Sequence, residues 1–224
     1  MDSQLGRKLV AEFVGTFTLI FIGAGSIIVG SGVVGVAIAH GLSIAIMVSA
    51  LGAVSGAVFN PALTIGLWAT RRLPTMDTLA YIIAQLLGAT AAAAVLGLTF
   101  PATLRDVANG VPDIAGVTFL QAVGIEAVLT FFLMLAVFGT AVDKRAPHVG
   151  GFAIGLVLTM DILAAGRLTG AAMNPARAFG PEVVTGHWSN AAVYWVGPII
   201  GAVVAALIYH YVFMDDEQRA EAAA

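Results

Sequence analysis

Three observations predict an all-α membrane protein, with six transmembrane helices and two re-entrant half-helices arranged as an inverted repeat. The chain is 59% hydrophobic and only 10% charged over 224 residues, whereas about a quarter of the residues in a soluble domain are charged. Its ionisable residues are gathered between long apolar stretches. Two matching phrases, SGAVFNPALT from Ser55 and TGAAMNPARA from Thr169, break the apolar pattern with Asn-Pro, a pair that starts turns and helices.

The first span is read over Leu9–Val29, where Glu12 is the one ionisable residue in 21 positions. At ~1.5 Å per residue this is roughly 31 Å of helix, which matches a hydrocarbon core of about 30 Å. Arg7 and Lys8 precede it as in a secretory signal, but the run is too long for one and contains Glu12, so an uncleaved span is expected. Further spans are read at Val33–Ala53, Thr78–Thr99, Thr118–Ala141, Val149–Ala165 and Ala191–Phe213, the fifth being the shortest. Most of the eight prolines lie in connections or open a helix, and Pro198 alone falls within a span.

Charge placement sets the orientation. With the N-terminus in the cytoplasm, Arg7, Lys8, Arg71, Arg72, Lys144, Arg145 and Arg219 face inward, against Arg105, Arg167 and Arg177 on the other side. Both termini are therefore expected to be cytoplasmic. The chain has no cysteine, which excludes disulfides and thiolate metal sites. The net charge of -3 is uninformative in a membrane protein, and no basic stripe points to nucleic acid. No nucleophile–base pair or metal-ligand cluster is legible, so neither an enzyme nor a cofactor is expected.

The chain repeats itself. A shift of 114 places Glu12 on Glu126, Thr16 on Thr130, Gly41 on Gly155, Gly52 on Gly166, Gly56 on Gly170 and Asn60-Pro61-Ala62 on Asn174-Pro175-Ala176. After a one-residue deletion, YIIAQLLGA from Tyr81 lies over YWVGPIIGA from Tyr194. A single channel domain over 1–224, with repeats at approximately 8–100 and 117–214, is expected. Each repeat holds three spans, an odd number, so the second copy enters from the opposite side. The run from Asn60 to Thr70 is about eleven residues, roughly 16 Å of helix, too short to cross.

Asn is a strong N-cap and Pro is favoured at the first helical position. Each motif therefore starts a half-helix, and inversion brings the two N-termini together near the midplane. Each carries about +0.5 charge, which opposes cations between them. The amides of Asn60 and Asn174 can also orient a passing oxygen and interrupt proton hopping.

The tandem Asn-Pro-Ala motifs, with AEFVGTF and YWVGPIIGA, resemble the aquaporin (major intrinsic protein) family over essentially the whole chain. The resemblance implies a homotetramer with one pore per subunit and an outer filter at fixed distances from the Asn residues. Counted here, those positions are His40, Ile162, Ala171 and Arg177. Arg177 would offer its fork of donors to a permeating oxygen and repel cations. Strict water channels carry Phe and His at the first two positions, so this set looks like plant tonoplast intrinsic proteins, which pass water and often ammonia or urea. Glycerol facilitators are the rival reading. They have Asp after the arginine, where this chain has Ala178, and they lack the Tyr194-Trp195 pair. Ala171 stands at the mercury-sensitive Cys position, so mercury insensitivity is expected.

The leading expectation is a passive water channel in the plasma membrane that excludes protons and ions and passes small neutral solutes. A closed-pore structural membrane protein is the alternative from another class, and small Ala171 argues against it. The resemblance assigns Glu12 and Glu126 to bracing the re-entrant loops, with Gln85 in a similar buried polar role. Gln85 aligns with Pro198, so no matched chemistry is implied. Asp161 is expected to pair with Arg167 or loop backbone, or alternatively to tune Arg177 electrostatically. Gly41, Gly52, Gly56, Gly155, Gly166 and Gly170 read as close-packing positions. Trp188, Trp195, Tyr209 and Tyr211 read as interface anchors, and His148 as an inner-loop residue.

Overall fold

The computed structural model describes residues 3–100, 110–147 and 149–223. Arg105, most of the loop from Pro101, and His148 lie outside the described residues. The elements are helices α1 (Ser3–Ile28), α2 (Gly32–Ser55), α3 (Pro61–Ala69), α4 (Thr75–Thr99), α5 (Phe119–Val137), α6 (Gly150–Thr169), α7 (Pro175–Thr185), α8 (Val193–Ile208) and α9 (Asp216–Ala223). A π turn extends α5 over Phe138–Val142 and another extends α8 over Tyr209–Phe213. Six of these helices are long and apolar enough to cross a membrane, as the sequence predicts.

The half-helices α3 and α7 have nine and eleven residues, roughly 14 and 17 Å at ~1.5 Å per residue. Each begins at its Asn-Pro because the Asn backbone is extended (φ −153° and −152°) and its Oδ1 accepts the N–H two residues on, from Ala62 and Ala176, both at 2.9 Å. Proline then fills the first helical position, where no intrahelical N–H bond is lost.

Glycine contacts interlock the repeats. A Cβ on Gly88 of α4 would collide with the Phe13 carbonyl of α1, and one on Gly201 of α8 with the Ala127 carbonyl of α5, the equivalent contact 113 or 114 residues later. Gly41 and Gly155 face each other across α2 and α6, each barring a side chain on the other. Gly66 seats α3 against Ala202 of α8, and Gly180 seats α7 against Ala89 of α4. Each half-helix therefore packs on the last span of the other repeat, with helix backbones close enough for extended van der Waals contact.

The glycine expectations divide accordingly. Gly41 and Gly155 are close-packing positions, whereas a side chain at Gly52 would meet open space. Gly56 and Gly170 have another role: at φ 84° and 78° they cap α2 and α6 in the left-handed conformation that glycine adopts without a Cβ penalty. The fifth span runs to Thr169, four residues past its expected end, because this cap rather than Gly166 terminates it. Tyr209 also departs from its expected role: it turns inward, with its ring 5.4 Å from Phe138 and its hydroxyl donating to Asp143 at 3.2 Å.

Candidate functional site

Two buried carboxylates shape the loops that lead into the half-helices. Glu12 of α1 accepts from the Ser55 hydroxyl (2.7 Å), the Val58 N–H (3.0 Å) and the Phe59 N–H (2.7 Å). Glu126 of α5 accepts from Thr169 (2.7 Å), Ala172 N–H (3.0 Å) and Met173 N–H (2.7 Å). Tyr81 and Tyr194 hold the ends of α2 and α6, donating to the Ser55 and Thr169 carbonyls at 2.8 and 2.9 Å. The repeats differ at Gln85, whose amide donates to Glu12 (2.8 Å) and Thr64 (3.0 Å) and gives the first carboxylate a fourth donor.

These anchors hold a costly backbone. Ala57, Phe59, Ala171 and Met173 all have positive φ, between 44° and 52°, an uncommon conformation for non-glycine residues that costs of order 1–3 kcal/mol each. The same alternation in both loops brings the two Asn side chains together. Asn60 Nδ2 donates to the Met173 carbonyl at 2.8 Å, and Asn174 Nδ2 donates to the Phe59 carbonyl at 2.9 Å.

Both Asn residues line a cavity of about 290 Å³, otherwise walled mainly by apolar residues such as Leu19, Ile44, Leu63 and Leu158. His40, Ala171 and Arg177 bound this cavity toward one face, and Arg72 lines it toward the other. A second cavity of about 460 Å³, lined by Ile162, Val36, Gly170 and Arg167, lies beyond, and Arg177 borders both. The four positions counted from the Asn residues thus lie where the two cavities approach each other.

Arg177 is 3% exposed, and its guanidinium donates through Nη1 to the Gly110 carbonyl at 2.5 Å. His40 Nδ1 lies 2.9 Å from the Val36 carbonyl. A carbonyl only accepts, so Nδ1 carries the hydrogen, and in the neutral ring Nε2 is an acceptor. The ring rests on Gly23 of α1, where any Cβ would overlap it. Gly23 and Gly110 are site residues that the sequence reading missed. Neither lies in a motif, and each acts through a contact with a distant residue.

Asp161 does not make the expected pair. It is buried, and its Oδ2 has no hydrogen-bond partner among the described residues. Arg167 is instead exposed on the rim of the outer cavity.

A lumen between two half-helices, lined also by residues of α1, α2, α5 and α6, in a chain with six helices long and apolar enough to cross a membrane, defines the class: a passive transmembrane channel. The profile of the family described as MIP, major intrinsic protein, matches residues 1–209, and the chain belongs to that family. It is 45% identical to aquaporin TIP4-4 of Zea mays, with 95% of this chain and 89% of the relative covered. It is 39% identical to aquaporin AqpM of Methanothermobacter thermautotrophicus, covering 93% of this chain and 98% of the relative. Among solved structures it resembles the aquaglyceroporin of Plasmodium falciparum at a TM-score of 0.82 and 25% identity, covering 93% of this chain and 97% of the other.

Proposed function

We propose that this channel conducts water, excludes protons and ions, and also passes small neutral solutes such as ammonia or urea. The observation that carries the reading is the set of His40, Ile162, Ala171 and Arg177 between the two cavities, with the Asn60 and Asn174 amides lining the lumen. Each Asn amide spends one N–H on the opposite loop. The other is left to donate to a permeating oxygen, which occupies that molecule's lone pairs so that it cannot accept a proton from its neighbours, and this breaks the proton wire.

Ions meet a second obstacle. A monovalent cation about 4 Å from both half-helix N-termini faces roughly one unit of positive charge, which costs about 4 kcal/mol at an effective dielectric of about 20. A neutral solute pays no such cost, and Arg177 adds a further charge. At the filter, Ile162 presents an apolar wall and Ala171 leaves room, which favours solutes slightly larger than water.

We read the whole chain, 1–224, as one channel domain with repeats at about 8–100 and 117–214, assembled as a homotetramer. We place both termini in the cytoplasm on the distribution of Lys and Arg, and propose the plasma membrane as the location. Stopped-flow light scattering on proteoliposomes, with water, ammonia, urea and glycerol in separate arms, tests the reading. Water flux no faster than that of empty vesicles overturns it, and glycerol flux comparable to water flux favours a polyol facilitator.

A further inference from the structure

On the membrane face that carries both termini, a cavity of about 400 Å³ opens between the end of α3, the π turn that ends α8, and α9. Thr70, Arg71, His210, Tyr211, Asp216 and Arg219 line it. It lies apart from the pore: none of these six residues lines either cavity around the filter. Two guanidinium groups and one carboxylate leave it net positive even with His210 neutral.

The donors divide into committed and available groups. Arg219 donates through Nη1 to the Tyr211 carbonyl at 2.9 Å and through Nη2 to Asp216, which holds it at the wall of the cavity. Arg71 is exposed, and its side chain makes no hydrogen bond or ion pair among the described residues. His210 is only 8% exposed, yet its Nδ1 has no hydrogen-bond partner among the described residues. A buried polar atom without a partner is costly, and the His210 ring lies at the wall of a cavity where arginines supply positive charge. Arg72 is also within electrostatic reach of the ring.

We propose that this cavity binds a phosphate-bearing anion, supplied by the headgroup of an anionic membrane lipid. Phosphate oxygens accept from Arg71 and from the free donors of Arg219, beside the His210 ring, the fork-and-oxygen geometry for which arginine is suited. Asp216 opposes the anion but is already paired with Arg219. The apolar surroundings favour a lipid over a free ion. Tyr211 is 63% exposed and is followed by Val212 and Phe213 at 68% and 52%, so acyl chains have a surface to lie on beside the headgroup. Basic pockets at the ends of transmembrane helices are suited to such headgroups.

The test is native mass spectrometry of the purified full-length protein, titrated separately with phosphatidylglycerol, phosphatidylcholine and inorganic phosphate. Phosphatidylglycerol is expected to bind more tightly than phosphatidylcholine, and Arg71→Gln to weaken its first binding step about fivefold, the effect of one basic residue near an anionic surface. Arg7→Gln, at an exposed arginine at the start of α1, is expected to leave that affinity unchanged. The Arg71 side chain makes no hydrogen bond or ion pair among the described residues that the substitution would break, and unaltered water flux in the variant verifies that it is folded. Equal binding of the two lipids overturns the proposal, as does wild-type affinity in Arg71→Gln. Binding of inorganic phosphate with no preference for phosphatidylglycerol overturns the lipid source.

Discussion

Asn60 and Asn174 hold each other's loops: each donates an amide N–H to the carbonyl of the residue that precedes the other, at 2.8 and 2.9 Å. Each side chain also caps its own half-helix through Oδ1. One residue type therefore starts the helix, fastens it to its counterpart and leaves a donor for the lumen.

Separate substitutions divide these roles. Asn60→Ala removes a cap, worth about 1 kcal/mol, and leaves the buried Met173 carbonyl without its donor, a loss of about 1–3 kcal/mol. Asn60→Asp keeps the capping oxygen but loses the donor and adds negative charge between the N-termini. The expected outcome is a lower melting midpoint for both variants in detergent, larger for Ala, and raised cation leak into dye-loaded proteoliposomes for Asp alone. Equal leak in the two variants would show that the charge at this junction does not govern exclusion.

Glu126 makes a sharper case for bracing than Glu12, because it lacks the amide that Gln85 supplies to Glu12. Glu126→Gln replaces one carboxylate oxygen by an NH₂ group, and each oxygen now accepts a backbone N–H, Ala172 at Oε1 and Met173 at Oε2, so at least one buried donor is left unmatched at about 1–3 kcal/mol. The distortion falls on Ala171 to Met173, next to the filter. Size-exclusion chromatography and water flux are expected to show reduced folded yield and reduced permeability per folded protein. Retention of full permeability would separate the carboxylate from loop geometry.

The spans and half-helices were legible because both rest on local properties: a 20-residue apolar run and an Asn-Pro start. The repeat was legible for a related reason, since Glu12 and Glu126 occupy the same register and bind the same backbone positions. What stayed hidden depends on residues far apart in the chain. Gly166 and Arg167 lie past the expected end of the fifth span at Ala165, yet α6 continues to Thr169, whose hydroxyl donates to Glu126. Gly88 and Gly201 lie in the matched phrases from Tyr81 and Tyr194, yet the helix contacts they carry are visible only in three dimensions, while Gly52, in perfect register with Gly166, meets nothing. Arg177 was identifiable by its distance from Asn174, but its Gly110 partner lies 67 residues away, on the far side of α5 and α6 in the chain.

Arg177 sits between the two cavities with a single side-chain hydrogen bond among the described residues, to Gly110. Arg177→Lys keeps a charge but replaces the planar fork with a compact ammonium on a flexible stem. Urea flux is expected to rise relative to water flux by several-fold in Arg177→Val and less in Arg177→Lys, measured in the same vesicles. An unchanged ratio in both would place the constriction elsewhere.

His40→Phe combined with Ile162→His exchanges a polar ring and an apolar wall for the opposite arrangement. Phe has no ring nitrogen to accept or donate, and the new His turns the apolar side of the filter polar. The double variant is expected to lower ammonia flux relative to water flux, read by an internal pH dye against light scattering. A ratio equal to that of the unmodified protein would mean that these two positions do not face the permeating solute.

On the face with both termini, Asp143 ties the chain's last helix to the connection between α5 and α6. It accepts from the Arg145 guanidinium at 2.6 Å and from the Gln218 amide at 3.1 Å, while Gln218 accepts from Lys144 N–H at 3.0 Å. The Arg145 guanidinium beside it holds the Asp143 carboxyl well below the usual carboxylate range, against the opposing effect of burial. A depressed folded pKa gives stability that is present above the unfolded value, about 3.9, and is lost only as pH falls toward the folded one. The clasp is therefore expected to stay closed from pH 5 to 8. Hydrogen exchange at residues 214–220, corrected for intrinsic rates, should be the same at pH 5.5 and 7.5. It should rise at both in Asp143→Asn, which removes the charge that Arg145 grips. A pH-dependent opening in the unmodified protein would show that another titrating group controls the tail.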